Sequence, residues 1–224
     1  MQNVTHQVTL VQDRIAAAVR RGGHGQAVRL VAVTKTYGPE AVVAIHACGV
    51  EDVGENRVQE ALDKQALVTV PVRWHLIGHL QRNKVKALDH FWLMHSLDSH
   101  RLAEAVDEFG RRRERPVDVL VQVNVVGEES KGGFALADMA REAEWLTGCA
   151  GIRVLGAMTM APIDADEATL RRVFAGARDA RDALRAAGHP ATELSMGMSG
   201  DFEVAVEEGA TMVRLGTVLF GERH

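Results

Sequence analysis

The sequence predicts a single (β/α)8 barrel, with an extra helix at its N-terminal end, and three observations carry that reading. Eight apolar runs of strand length recur along about 190 residues, which suits the small end of the size range of such barrels. Helical patterns fill the gaps between them. No linker or shift of composition divides residues 1–224, so one domain is expected. Continuous apolar strands that alternate with helices imply a parallel sheet covered by helices. A doubly wound open sheet is the competitor, but it prefers fewer strands and a glycine-rich turn directly after the first one. Here the glycine-rich segment RGGHGQ, at 21–26, precedes its strand.

Residues 2–20 read as the extra helix. The strand candidates follow as VRLVAVTK (28–35), VEDVG (50–54), RWHLIG (73–78), FWLMHSLD (91–98), VDVLVQVNV (117–125), RVLGAMTM (153–160), ELSMG (193–197) and MVRLG (212–216). Helical periodicity is clearest over 165–187, where Leu170, Val173, Phe174, Ala177 and Leu184 share one face and Gly188 follows as a stop. The basic run RRRERP, at 111–116, reads as a solvated helix end, where cations suit the carbonyl pole of the helix dipole.

Bulk composition excludes several function classes. Hydrophobic residues make up 46% and charged residues 25%, an ordinary globular balance, and the net charge of −4 offers no general attraction to nucleic acid or an anionic membrane. Cys48 and Cys149 sit in unrelated segments, form no CxxC and are too few for a zinc site, so both are expected to be buried free thiols. The first twenty residues lack the basic start and apolar core of a signal peptide, and no apolar run reaches membrane-spanning length. A cytoplasmic protein is predicted.

In a barrel, functional residues lie at the carboxyl ends of the strands, and side chains alternate between lumen and helix layer. Val31, Val33 and Lys35 share one parity, which puts Lys35 at the mouth if the valines face the lumen. In strand five, Gln122 and Asn124 share a face opposite Val119, Val121 and Val123, so the amides point inward. Arg214 shares parity with Gly216 and points into the barrel. Leaving such a charge unpaired costs about 3–5 kcal/mol, so a bound anion, a ring acceptor or a salt bridge to a carboxylate such as Glu55 is required. Strand seven runs into SMGMSGDFEVAVEEG, where Ser199 is a suitable cap for a helix from 201 to 208, and strand eight runs into Gly216 and Thr217. Free amides, small residues and two hydroxyls at loops seven and eight make a phosphate site. A lysine in an apolar mouth is favoured as the free amine, which attacks carbonyls. A ligand with both an aldehyde and a phosphate fits this pair; pyridoxal 5′-phosphate and the sugar phosphates of class I aldolases remain open on spacing alone. His75 and His79 are expected to be core or loop histidines, because Gly78 interrupts any helix between them and no carboxylate is near in sequence. No metal site is expected.

The segments AVTKTYGPE, GENRVQEALDK (54–64), WHLIGHLQRNKVK (74–86), HSLDS (95–99), VNVVGEESKGGF (124–134) and LSMGMSGDFEVAVEEGATMVRLGTVLFGER (194–223) together resemble the pyridoxal-phosphate homeostasis proteins, relatives of the N-terminal barrel of alanine racemase. The match spans almost the whole chain, with the motifs in family order. Thr34 and Tyr37 depart from the serine and lysine expected beside Lys35, and Gly132-Gly133 replaces a more varied pair. The resemblance implies that Lys35 carries pyridoxal phosphate as a Schiff base and that Asn56 lies beside the pyridine ring. It also implies that Ser199, Gly216 and Thr217 hold the phosphate, with Ser195 and Met198 in the same loop, and that Arg214 stands near the ring. An arginine at the ring nitrogen keeps that nitrogen unprotonated and weakens the ring as an electron sink.

A racemase needs two bases, one on each face of the substrate. In alanine racemases the second comes from a C-terminal domain and a partner subunit. This sequence closes soon after the eighth barrel unit, and Tyr37, the one tyrosine, stands on the same strand end as Lys35. The expected function is therefore cofactor binding and homeostasis of vitamin B6 and of amino and keto acids, with apo pyridoxal-phosphate enzymes as partners. A racemase-like activity of small or unknown extent is the alternative.

Overall fold

The computed structural model of the chain describes residues 4–127 and 132–221. Residues 128–131, part of the VNVVGEESKGGF segment, lie outside the described residues. Helix α1 (Val4–Gly22) buries Val4, Val8, Val11, Ile15 and Ala18 at spacings of three and four, the repeat of a helix with one apolar stripe. The eight predicted strands follow as β1 (Arg29–Val33), β2 (Asp52–Glu55), β3 (Arg73–Leu76), β4 (Leu93–Leu97), β5 (Val117–Asn124), β7 (Ile152–Met158), β8 (Glu193–Ser195) and β9 (Met212–Leu215). They pair in the order β4-β3-β2-β1-β9-β8-β7-β5, and β4 pairs with β5 to close a parallel ring. A two-residue strand that the sequence did not announce, β6 (Phe134–Ala135), adds to the end of β5.

Helices α2 (Pro39–Ala47), α3 (Val58–Gln65), α4 (His100–Arg112), α5 (Met139–Leu146), α6 (Glu167–Ala186), α7 (Phe202–Glu207) and α8 (Thr217–Phe220) fill the connections. Pro39 opens α2, where its fixed φ and missing N–H cost nothing. The Asp166 carboxylate accepts from the Thr169 amide at 2.8 Å and starts α6, whose buried face contains the predicted Val173, Phe174, Ala177 and Leu184. After β3 the crossover is a 3-10 segment, Arg82–His90. Three residues per turn place Val85 and Leu88 on one line, and both are buried. The basic run at 111–116 ends α4 in solvent, with Arg111 and Arg112 paired to Asp107 and Glu108 one turn back.

Side-chain parity sorts the strands into two layers. Val31, Leu93, Leu120, Met158 and Met212 form a separate apolar cluster in the lumen. Val119, Val121 and Val123 join the larger core between sheet and helices. Cys149 is buried as expected, whereas Cys48 is only partly so: it ends α2, beyond the helix face that packs on the sheet, and its thiol donates to the Ala44 carbonyl.

Candidate functional site

At the carboxyl ends of the strands the barrel opens into a cavity of about 780 Å³, within the range of small-molecule sites. Lys35, Asn56, Met198, Ser199, Arg214, Gly216 and Thr217 all line it. Ser195 does not. It lies one layer beneath, at the end of β8, fully buried.

Lys35 follows β1 in a turn closed by the bond from the Tyr37 amide to the Thr34 carbonyl, 3.1 Å. The neighbouring Thr36 has φ +69°, a left-handed conformation that a β-branched residue rarely adopts. Something must over-determine it, and a buried ion cluster from GENRVQEALDK does. The Lys64 ammonium donates to the Thr34 carbonyl (2.7 Å), to Glu55 (2.7 Å) and to Glu60 (2.9 Å). Glu60 in turn accepts from the Thr36 amide at 2.5 Å, and Glu55 accepts from the Thr34 hydroxyl at 2.6 Å. One ammonium and two carboxylates thus hold the peptides on both sides of Lys35. Burial pushes the Glu55 carboxyl above the usual range, against the pull of Lys64 and Thr34. Tyr37 faces elsewhere: its ring packs on Phe220 at 4.7 Å and its hydroxyl donates to the Gly221 carbonyl, 3.3 Å.

Two strands round the ring from β1, the segment after β8 folds back on α7. Gly197 has φ +94°, and a Cβ there would stand 2.7 Å from the Ala205 Cβ, so only glycine allows the approach. Ser199 does not cap α7, contrary to the sequence reading. Asp201 stands at that position, and its carboxylate takes the Met198 amide at 2.5 Å, which turns the helix start away from Ser199. The Ser199 oxygen instead accepts from the Val218 amide, 3.3 Å, and so ties the β8 loop to the turn after β9. Its own hydrogen remains for an acceptor in the cavity. Gly200, also on the wall, has nothing within 4 Å of where a Cβ would lie, and the Gly216 backbone runs close to Val33. Two hydroxyls beside glycine backbone leave room for an oxyanion, which is the donor set a phosphate requires.

Arg214 forms part of the floor, and only 5% of it is exposed. Glu55 is not its partner: it has the opposite parity to Asp52 on β2 and faces α3, where it meets Lys64. The guanidinium donates to Ser195 Oγ at 2.6 Å and to the Thr159 carbonyl at 3.0 Å. Burial lowers its pKa to about 10, so it remains a cation at neutral pH. An amine, a buried cation and two hydroxyls around one cavity fit an aldehyde with an anionic phosphate.

The lining also includes Ile77, His79, Asp98, Gln122 and Met160. Ile77, Gln122 and Met160 continue the inward parity of β3, β5 and β7. Asp98 was hidden from that count. Met94 pairs with Val119 and Leu97 with Val121, so β4 spends one residue more than β5, and this bulge shifts the parity. Asn124 uses its side-chain oxygen to accept from the Gly127 amide, 3.0 Å, and is not part of the lining. The two histidines of WHLIGHLQRNK do have carboxylate partners, both distant in sequence. Buried His75 meets Asp52 at 2.8 Å, and exposed His79 meets Asp98 at 2.8 Å. Gly78 sets the position of Asn56, since a Cβ there would lie 2.3 Å from the Asn56 carbonyl. No cluster of metal-ligating side chains occurs among the described residues.

Comparison with known proteins gives three concordant results. The family model described as "Alanine racemase, N-terminal domain" matches residues 10–224. Pyridoxal phosphate homeostasis proteins of Aquifex aeolicus and Pseudomonas aeruginosa are 42% and 40% identical, over 99% and 100% of this chain and 99% and 97% of theirs. The structure of PipY from Synechococcus elongatus, with PLP bound, superposes with a TM-score of 0.86 at 34% identity, covering 98% of this chain and all of that one.

The Lys64 cluster yields a stability prediction. Its ammonium is 7% exposed and the Glu55 carboxylate 0%, so the pair is buried. Removing one partner of such a pair costs about 3–5 kcal/mol. Chemical denaturation of Lys64→Met is expected to show a loss of that size. A loss below about 1 kcal/mol, the level of a surface pair, would mean that the cluster does not hold the Lys35 turn.

Proposed function

The chain belongs to the alanine racemase N-terminal domain family and groups with the pyridoxal phosphate homeostasis proteins, and from that premise we propose that it binds pyridoxal 5′-phosphate reversibly and helps maintain the intracellular supply of that cofactor. The observation that carries this reading is the convergence of Lys35, Arg214, Ser199 and Thr217 on one cavity. When bound, pyridoxal phosphate supplies an aldehyde that condenses with amines and a ring that withdraws electrons.

Each residue has a part in this reading. Lys35 is the amine that takes the aldehyde. Asn56 stands beside the ring, and Arg214 faces it as a cation from the floor. Ser199 and Thr217 donate to the phosphate, with the Gly216 backbone and Met198 completing that end. Ser195 acts from beneath, through Arg214. Apo pyridoxal-phosphate enzymes are the proposed recipients of the cofactor, and the cytoplasm is the proposed compartment. No helix among the described residues is long and apolar enough to cross a membrane. A racemase-like activity is the second reading, favoured by His79, which lines the cavity and is oriented by Asp98.

Three outcomes test the proposal. Lys35→Ala is expected to lose the visible absorption band of the bound cofactor and its trapping by borohydride, while keeping its circular dichroism. Mass spectrometry that placed the reduced adduct on Lys84 or on Lys131, which lies outside the described residues, would displace Lys35 from this role. Replacing Ser199 and Thr217 together with Ala removes two hydrogen bonds to a charged group, worth about 1.5–3 kcal/mol each. Calorimetry is expected to show pyridoxal phosphate binding at least a hundredfold more weakly, with unphosphorylated pyridoxal nearly unaffected; equal weakening of both would put the phosphate elsewhere. Finally, the purified protein is expected to pass cofactor to an apo enzyme and to leave the configuration of common amino acids unchanged. Multiple-turnover racemisation, lost in both Lys35→Ala and His79→Ala, would establish the second reading instead.

A further inference from the structure

A single file of buried hydrogen bonds crosses the barrel lumen from its floor to the cavity. At the floor, Arg73 holds the Asp52 carboxylate with two bonds, 2.8 and 2.7 Å. Asp52 Oδ1 lies 2.8 Å from His75 Nε2, and His75 Nδ1 lies 2.8 Å from His95 Nε2. His95 Nδ1 lies 2.8 Å from Ser195 Oγ, which receives the Arg214 guanidinium at 2.6 Å. His75, His95 and Ser195 are wholly buried, and Asp52 is 3% exposed. Asp52, His75, His95, Ser195 and Arg214 come from β2, β3, β4, β8 and β9, and Arg73 also from β3.

The hydrogens in this file can be placed by elimination. Burial raises the Asp52 carboxyl, but the bonds from His75 and Arg73 outweigh it and hold the group down to about 2, so Asp52 is an anion that only accepts. Burial lowers both imidazoles, and each therefore carries one hydrogen at neutral pH. Facing the carboxylate, His75 must carry its hydrogen on Nε2, which leaves Nδ1 bare. His95 must then donate from Nε2, which leaves its own Nδ1 bare. The Ser195 hydrogen goes to that nitrogen, and the Ser195 oxygen presents lone pairs to Arg214. The reverse sense would set a lone pair against the carboxylate and aim the serine hydrogen at a guanidinium that can only donate. Every dipole in the file runs from the cation toward the anion, so the bonds reinforce one another.

We propose that Asp52, His75, His95 and Ser195 are positioning residues that hold the Arg214 guanidinium in place for the ligand, with the polarity of the whole file set by the Asp52 carboxylate at the opposite end of the barrel. The proposal rests on the reading of the cavity as a pyridoxal-phosphate site. A substitution that changes no cavity-lining residue then alters binding at the mouth. Asp52 Oδ1 accepts from both His75 Nε2 and Arg73 Nε. In Asp52→Ala that acceptor is gone, nothing fixes the sense of the file, and the serine hydrogen is free to turn against Arg214.

Two measurements test this. In ligand-free protein, imidazole nitrogen NMR is expected to show His75 and His95 as neutral Nε2–H tautomers, and to show that single pattern lost in Asp52→Ala. In titrations, Ser195→Ala is expected to bind pyridoxal phosphate and pyridoxal about tenfold more weakly, to the same extent, since the lost bond anchors a charged group away from the phosphate. Ser195→Thr, which keeps the hydroxyl, is expected to recover most of the affinity. Because Ser195→Ala removes no charge, it remains informative if Asp52→Ala fails to fold. An Nδ1–H or doubly protonated His95 in the wild type would overturn the proposal, as would affinity in Ser195→Ala within about twofold of wild type. A wild-type protein that bound no pyridoxal phosphate would remove the cofactor reading alone, and the tautomers would still decide whether the file is ordered as inferred.

Discussion

The lumen of a closed parallel barrel is walled from water, so every polar group that a strand turns inward must find its partner inside. This constraint organises the molecule. Five inward positions are met by apolar side chains, Val31, Leu93, Leu120, Met158 and Met212, which pack against one another. Five others, Asp52, His75, His95, Ser195 and Arg214, are polar, and they satisfy one another in a single file. Burying a charged guanidinium without a carboxylate partner is costly. Here the cost is offset because a hydroxyl and a carbonyl meet the cation in the interior, where hydrogen bonds are strong.

The same logic governs the turn that presents Lys35. A lysine at the end of an apolar strand would ordinarily place its head in solvent. In this chain the strained Thr36 and the peptides around Lys35 are held by Lys64, Glu55 and Glu60, two of which, Lys64 and Glu55, are themselves buried. The cluster fixes the backbone from which the amine extends. A fixed backbone is what allows a side chain on a loop to act with the precision of one on a strand. Tyr37 and Ser199 extend the bracing to the segment after neighbouring β9, through Gly221 and Val218.

The eight strands, their parity, the position of Lys35 at the mouth and the inward turn of Arg214 were legible in the sequence. Apolar runs of strand length, separated by helical repeats, leave few folds available, and a period of two assigns each side chain to one layer. Strict parity also found Gln122, which lines the cavity, and it failed at Asp98, where a bulge in β4 shifts the count by one. The cap of α7 failed for a related reason. Ser199 and Asp201 are both good cap residues by type, but in the fold Asp201 holds the cap position while its carboxylate accepts from the Met198 amide, and Ser199 accepts from the Val218 amide.

The sequence by itself determined the barrel, its order of elements and the residue types that a phosphate and an aldehyde would need, because these follow from local periodicity and from chemistry carried within single segments. Tertiary structure alone decided the partners. Arg214 met Ser195 and the Thr159 carbonyl only when β9, β8 and β7 became neighbours. His75 had no carboxylate near it in sequence, and pairing of β2 with β3 brought Asp52 to it. The hydrogen-bond file joins residues up to 100 positions apart, His95 to Ser195 being the longest step. Such contacts leave no periodic trace along the chain, since they depend on which strands become neighbours and in what register, and that is settled only when the whole sheet closes.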